Sequence, residues 1–240
     1  MHLHVSKLQS FYTRPLGLAV RRLLSHRIRA RWQCVNDKTL IGLGFAVPFL
    51  GTFIGKVLRV YAMMPAKQGT LVWPKVGATR CVMVEETHLP LHDNSVDRLL
   101  LVHCLEYSDT RKKLLREIWR VLSPEGCLML IVPNQRGVWA MTNATPFGYG
   151  RAYSRIELQG LLQNSLFAPI SWTWALYFPP VEHQIFLKST VAFERYGAQV
   201  LPGLGGIIIV EARKELAAPK MFALQDSARP LRPLGNLVTG

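Results

Sequence analysis

No acidic side chain occurs before Asp37. The preceding residues instead carry Lys7, Arg14, Arg21, Arg22, Arg27, Arg29 and Arg31, seven cations that make up half of the net charge of +14. Such a cluster attracts nucleic acid, an anionic lipid surface or an acidic substrate, or it stands as a solvated face. No base-reading motif accompanies it, which argues against sequence-specific nucleic-acid recognition. Cysteine is scarce: Cys34, Cys81, Cys104 and Cys127 form no C-x-x-C pair and have no partner at zinc spacing. This argues against a disulfide framework and a zinc module, and the thiols read as buried and reduced in a cytoplasmic protein. No stretch of about 18 apolar residues is free of charge, so no spanning helix is expected. The apolar run from Ile41 to Ile54 is shorter and is broken by Gly42, Gly44, Pro48 and Gly51. A secretory signal is not expected, because no uninterrupted apolar core precedes a small-residue cleavage site. The arginine-rich start does share the composition of a transit peptide.

What is present is enough for one full core: 240 residues, 49% of them hydrophobic. Leu16, Val20, Leu23, Leu24, Ile28 and Trp32 recur at helical spacing among the arginines, predicting a basic amphipathic helix over about 14–32. A short strand from Lys38 runs into a turn at Gly42-Leu43-Gly44. A helix and a second strand follow between Phe49 and Pro65, then a loop over 66–79 and a third strand over Arg80–Val84. Val96–Val102 is almost wholly apolar, as expected of a parallel strand covered on both faces. A helix over Asp109–Leu122 stops at Ser123-Pro124-Glu125-Gly126, and a strand over Cys127–Val132 leads into a long loop to Tyr153. Ser154 and Glu157 form a capping box. A strand over Phe167–Phe178, a helix over Val181–Tyr196 and a last strand over Gly206–Ala212 complete the pattern. Strands alternating with helices predict an α/β fold with a doubly wound, mostly parallel sheet. Residues 1–216 read as a single domain and 217–240, with Pro219, Pro230 and Pro233, as an unstructured tail. Whether residues 1–10 are structured stays open.

The segment Leu89–Asn134 holds an ordered set of features. Leu89-Pro90-Leu91 forms a turn. Asp93, Ser95 and Asp97 follow as D-x-S-x-D. A strand ends in H-x-x-E at His103 and Glu106. A helix reads L-x-E-I-x-R-V-L, and S-P-E-G leads to a strand ending in V-P-N. In this combination the segment resembles the class I S-adenosylmethionine-dependent methyltransferases, the type 11 group in particular. The resemblance implies a seven-stranded, Rossmann-like sheet with S-adenosylmethionine across the carboxyl ends of the strands. It also places the cofactor contacts. Gly42, Gly44 and Ala46 fall on the family's glycine-rich turn. Met64 falls where an acid would meet the ribose, and Glu85, Glu86 and Thr87 lie on the adenine side. The first half departs from the pattern: Gly42 replaces the leading acid, Ala46 and Pro48 replace glycines, and neither Met63 nor Met64 is acidic.

Methyl transfer asks mainly for alignment and exclusion of water, because the sulfonium is already an activated donor. His103 is the candidate proton acceptor, with Glu106 as its partner; a packed histidine is the plainer alternative. Asn134, Trp139, Phe147 and Tyr153 are the candidate acceptor-binding residues on the long loop. The expected activity is methyl transfer to a small-molecule or lipid acceptor, without a metal. The alternatives are a non-catalytic binding protein that keeps the fold, and a basic nucleic-acid or membrane-surface binder. The expected location is cytoplasmic, with weak peripheral contact to an anionic surface through the basic helix.

Overall fold

Seven strands, β1 (Thr39–Gly44), β2 (Arg59–Pro65), β3 (Cys81–Val84), β4 (Val96–Val102), β5 (Leu122–Pro133), β6 (Phe167–Ala175) and β7 (Ile207–Lys214), form one sheet in the order β3-β2-β1-β4-β5-β7-β6. The structure is a computed structural model and describes residues 3–216; the expected tail lies outside the described residues. All pairings from β3 through β5 are parallel, while β7 runs antiparallel to both β5 and β6. The apolar runs of β4 and β7 are buried almost throughout, as a sheet with helices on both faces requires.

One face is covered by α1 (Val5–Thr13), α2 (Pro15–Arg31) and α3 (Val47–Leu50). The opposite face is covered by α4 (Arg111–Val121) and α5 (Arg155–Gln163), through Leu114, Leu115, Ile118, Leu158 and Leu162. Helix α2 starts at Pro15, whose fixed φ suits the first helical position. It buries Leu16, Val20, Leu24 and Ile28. Its end is clamped to the sheet by Glu211 of β7, which accepts from Arg31 Nη2 at 2.6 Å and from Trp32 Nε1 at 2.9 Å.

Four elements differ from the sequence reading. The strand expected over Phe167–Phe178 ends at Ala175, where Leu176 turns to φ +62°. The helix expected over Val181–Tyr196 is two, α6 (Gln184–Lys188) and α7 (Thr190–Val200), divided at Ser189. There the Thr190 hydroxyl donates to the Leu187 carbonyl, the local competition with helix that Ser and Thr offer. Strand β5 begins at Leu122, not Cys127, because Leu122 pairs with Val96 ahead of a register shift in β4. Of residues 1–10, left open by the sequence, Val5 onward belong to α1, whose start is capped by the His4 ring accepting from Ser6 N–H. Residues Val5, Leu8, Phe11 and Tyr12 of α1 are buried. Of the four thiols expected to be buried, Cys104 and Cys127 are, while Cys81 on the edge strand β3 is half-buried and Cys34 is exposed.

Candidate cofactor cleft closed by helix α1

The strand order reverses between β1 and β4, and open α/β sheets bind their ligands at such a point, beyond the carboxyl ends of the strands. At the end of β1, Gly44 has φ +84°, and a β-carbon there would stand 2.2 Å from the Val102 carbonyl oxygen. Only glycine makes this turn. The next residue ties the turn to β4, with Phe45 N–H donating to the Val102 carbonyl at 2.8 Å. Gly42 serves packing: a β-carbon would meet the Leu50 side chain at 2.6 Å. Ala46 and Met64 are fully buried. No carboxylate stands at the end of β2, where Met63, Met64 and Pro65 are apolar and buried.

Helix α1 lies over this end of the sheet. The Tyr12 ring stacks on Phe45 with centroids 5.8 Å apart, and meets Phe49 and His103 edge-on at 5.6 and 5.8 Å. The Tyr12 hydroxyl is 2.8 Å from His103 Nε2. Burial first, then the Glu106 carboxylate, holds this phenol well above its ordinary range, so it stays protonated and donates. On the other side of the ring, His103 Nδ1 is 3.2 Å from Glu106 Oε1, and Glu106 Oε2 accepts the Cys104 N–H at 3.0 Å. An ionised Glu106 only accepts, which assigns the ring proton to Nδ1 and leaves Nε2 as the acceptor for Tyr12. His103 has φ +52°, and its carbonyl accepts from Gln68 Nε2 at 2.7 Å. Gln68 in turn accepts the Val5 N–H through its backbone carbonyl at 2.8 Å, tying the start of α1 to the same cluster. Tyr12, His103 and Glu106 form a buried relay, and Phe147 closes over the histidine at 4.7 Å between ring centroids.

After β3, on the side where the resemblance expects adenine, Glu86 is buried and accepts from the Ser108 hydroxyl at 2.6 Å. Burial and the nearby Glu86 and Glu106 carboxylates push the Cys104 thiol well up, so it remains protonated. Glu85 is exposed, and the Thr87 hydroxyl lies 3.1 Å from His88 Nδ1.

All four loop residues expected to meet an acceptor are buried. Asn134 Nδ2 donates to the Gly203 and Gly205 carbonyls at 2.9 and 2.7 Å. Trp139 Nε1 donates to the Phe178 carbonyl at 2.7 Å, and the Tyr153 hydroxyl donates to the Leu105 carbonyl at 3.2 Å. These bonds pin the 133–153 segment to the sheet and its neighbours. Of the sequence-derived set, His103, Glu106 and Phe147 converge, while Glu85 stands apart on the surface. Tyr12 and Gln68 were not foreseen. Tyr12 lies 91 positions before His103, and no local pattern marks it.

Residues 50–130 match the profile of the methyltransferase domain family, type 11. No curated protein sequence matches the chain. Among solved structures, a SAM-dependent methyltransferase from Thermotoga maritima, described as a possible histamine N-methyltransferase, superposes with a TM-score of 0.59 at 16% identity, over 88% of this chain and 96% of its own. The Burkholderia thailandensis 1,6-didemethyltoxoflavin-N1-methyltransferase, solved with S-adenosylhomocysteine, gives 0.53 at 18% identity, over 81% and 78%. The [4+2]-cyclase SpnF gives 0.55 at 18% identity, over 84% and 83%. The matched segment and these superpositions make the chain similar to the class I methyltransferases, the class whose methyl donor is S-adenosylmethionine, and the superpositions show the shared fold.

In this conformation the residues present do not fit that donor. The space beyond Gly44 is filled by Tyr12 and Phe45, and Glu86 is committed to Ser108. The opening beside Tyr12, Phe45, Val47 and Pro48, between α1 and the 71–75 segment, measures about 220 Å³. That is below the roughly 300–1,000 Å³ of ordinary small-molecule sites. Among the described residues no group of three or more His, Cys, Asp or Glu is placed to hold a metal ion. No described helix is long and apolar enough to cross a membrane.

Proposed function

We propose that the protein is an S-adenosylmethionine-dependent methyltransferase acting on a small-molecule or lipid acceptor, and that it works from a form in which α1 has left the cleft. The observation that carries this reading is the family segment seated on β2 to β5 of a complete seven-stranded sheet, with its strand-end turn at Gly44 intact. The donor's chemistry is intrinsic to its sulfonium, so the protein's part is to bind, orient and exclude water. In the open form His103, held in one orientation by Glu106, would present an unprotonated Nε2 in place of its bond to Tyr12, at the position where an acceptor proton can be taken.

A second reading is a methyltransferase-fold protein without the activity, favoured by the absent carboxylate after β2 and by Tyr12 seated on Phe45. SpnF, whose name states a different reaction, shows that this fold hosts more than one chemistry. Calorimetric titration of the Tyr12→Ala protein with S-adenosylmethionine separates the two. Saturable heat in the micromolar to millimolar range supports the enzyme; no heat at millimolar ligand from a folded variant removes it.

A further inference from the structure

Helices α6 and α7 turn to solvent a face that no described element covers. Ile185 is 66% exposed, Val191 76%, Tyr196 61% and Val200 72%. Helical periodicity puts Val191, Ala192, Tyr196, Ala198 and Val200 on the outward half of α7, while Phe193 and Glu194 turn inward. Single exposed apolar side chains are ordinary; here Ile185, Val191, Tyr196 and Val200 stand around Arg195 and Gln199 on the solvent side of two adjoining helices, the mixed composition of an interfacial contact surface.

The charges around this face are of one sign. The acids between Val181 and Leu201 are Glu182 and Glu194, and arginines at or on the neighbouring helix α2 neutralise both. Glu194 is buried against Arg27 at 2.7 Å, and Glu182 pairs with Arg14 at 3.5 Å. Lys188 and Arg195 stand exposed on α6 and α7 themselves. Helix α2, bound to α7 through the Arg27–Glu194 pair, exposes Arg22 and Arg29 and contains no acid. The result is an aliphatic helix face set among cations whose nearby anions are already paired.

We propose that the α6–α7 face, together with the exposed arginines of α2, docks on an anionic lipid surface. Interfacial helices combine these features: projecting aliphatic side chains, an aromatic at headgroup level and cations at the rim. A second copy of the chain is disfavoured, because each copy carries a net charge of +14 and would present the same cationic rim. This inference does not depend on the methyltransferase reading, since none of the residues it uses belongs to the cleft.

Co-sedimentation of the full chain with vesicles tests it. The protein is expected to pellet with phosphatidylcholine vesicles containing phosphatidylglycerol, to stay in solution with pure phosphatidylcholine, and to be released by high salt. Each cation at an anionic surface is worth about fivefold in affinity, so Arg22→Ala with Arg29→Ala should weaken binding roughly thirtyfold. Val191→Asp with Val200→Asp, both on the solvent side of α7, should weaken it about tenfold or more while the thermal melt stays at the parent temperature. Three outcomes overturn the proposal: equal behaviour with both kinds of vesicle, binding undiminished in either double variant, or a dimer in sedimentation velocity that the aspartate variant dissolves. The last would assign the face to a second copy.

Discussion

Replacing Tyr12 with alanine removes the side chain that fills the space beyond Gly44. In the closed form that side chain is fully buried, stacked on Phe45 and bonded to His103. Truncating a buried aromatic costs about 3–5 kcal/mol. The hydrogen bond accounts for about 1 kcal/mol of it. In a form with α1 displaced, Tyr12 faces water, so the cost falls on the closed form alone. At about 1.4 kcal/mol per factor of ten, the closed-to-open ratio drops by roughly a hundredfold to several thousandfold. Apparent affinity for a ligand that needs the open form scales with the open fraction. Tyr12→Ala should therefore bind S-adenosylmethionine about a hundredfold more tightly than the parent, or more, up to the point where the open form predominates. Tyr12→Phe keeps the ring contacts and leaves His103 Nε2 without its donor, which predicts a smaller gain of roughly tenfold. Parallel calorimetric titrations of the three proteins give the ladder, and a ligand-dependent rise of the variant's melting temperature checks it independently. If folded Tyr12→Ala binds no more tightly than the parent, α1 is not what closes the cleft.

Other residues yield sharper structural tests. Gly44→Ala places a β-carbon 2.2 Å from a backbone oxygen at φ +84°, and should lower stability by about 3 kcal/mol or more in urea unfolding. Glu106→Gln puts an NH2 donor in place of one of the two oxygens that separately meet Cys104 N–H and His103 Nδ1, setting donor against donor, and should cost about 1–3 kcal/mol, seen as a drop of several degrees in the melting temperature. Arg120 gathers the 89–93 turn by bonding Glu117, Asp93 and the Leu89 and Leu91 carbonyls, so Arg120→Ala should cost about 1–2 kcal/mol near neutral pH. The Arg120 hydrogen bond holds the Glu117 carboxyl below its ordinary range, against the opposing effect of burial. A carboxyl with a depressed folded pKa contributes fully above its ordinary pKa and loses that contribution as pH falls through the lowered value. The stability difference between the parent and Arg120→Ala should therefore shrink as the pH is taken below the ordinary carboxylate range.

The parts of the fold that were legible in the sequence are those whose signal is local. Strand β4 was read to the residue, because Val96–Val102 is an apolar run bounded by a turn and a helix start, and α2 was read within a residue of each end from the 3.6-residue recurrence of Leu16, Val20, Leu24 and Ile28. The convergence of His103 with Glu106 was also open to inspection, since three positions separate them. What could not be read depends on partners far along the chain. Helix α1 has Val5, Leu8, Phe11 and Tyr12 at helical spacing, but nothing in VSKLQSFYT says that its target is the end of the sheet. That target is set by Gln68 and His103, which lie in separate loops after β2 and β4. The departures from the family's first half also take on meaning only together with α1. Phe45 beside Gly44 supplies the flat ring on which Tyr12 stacks, and Met64 is a buried apolar side chain where the resemblance expects a carboxylate. An isolated buried carboxylate is costly. The altered turn and the covering helix therefore go together: Phe45 seats Tyr12, and the buried apolar end of β2 leaves no carboxylate to be covered without a partner.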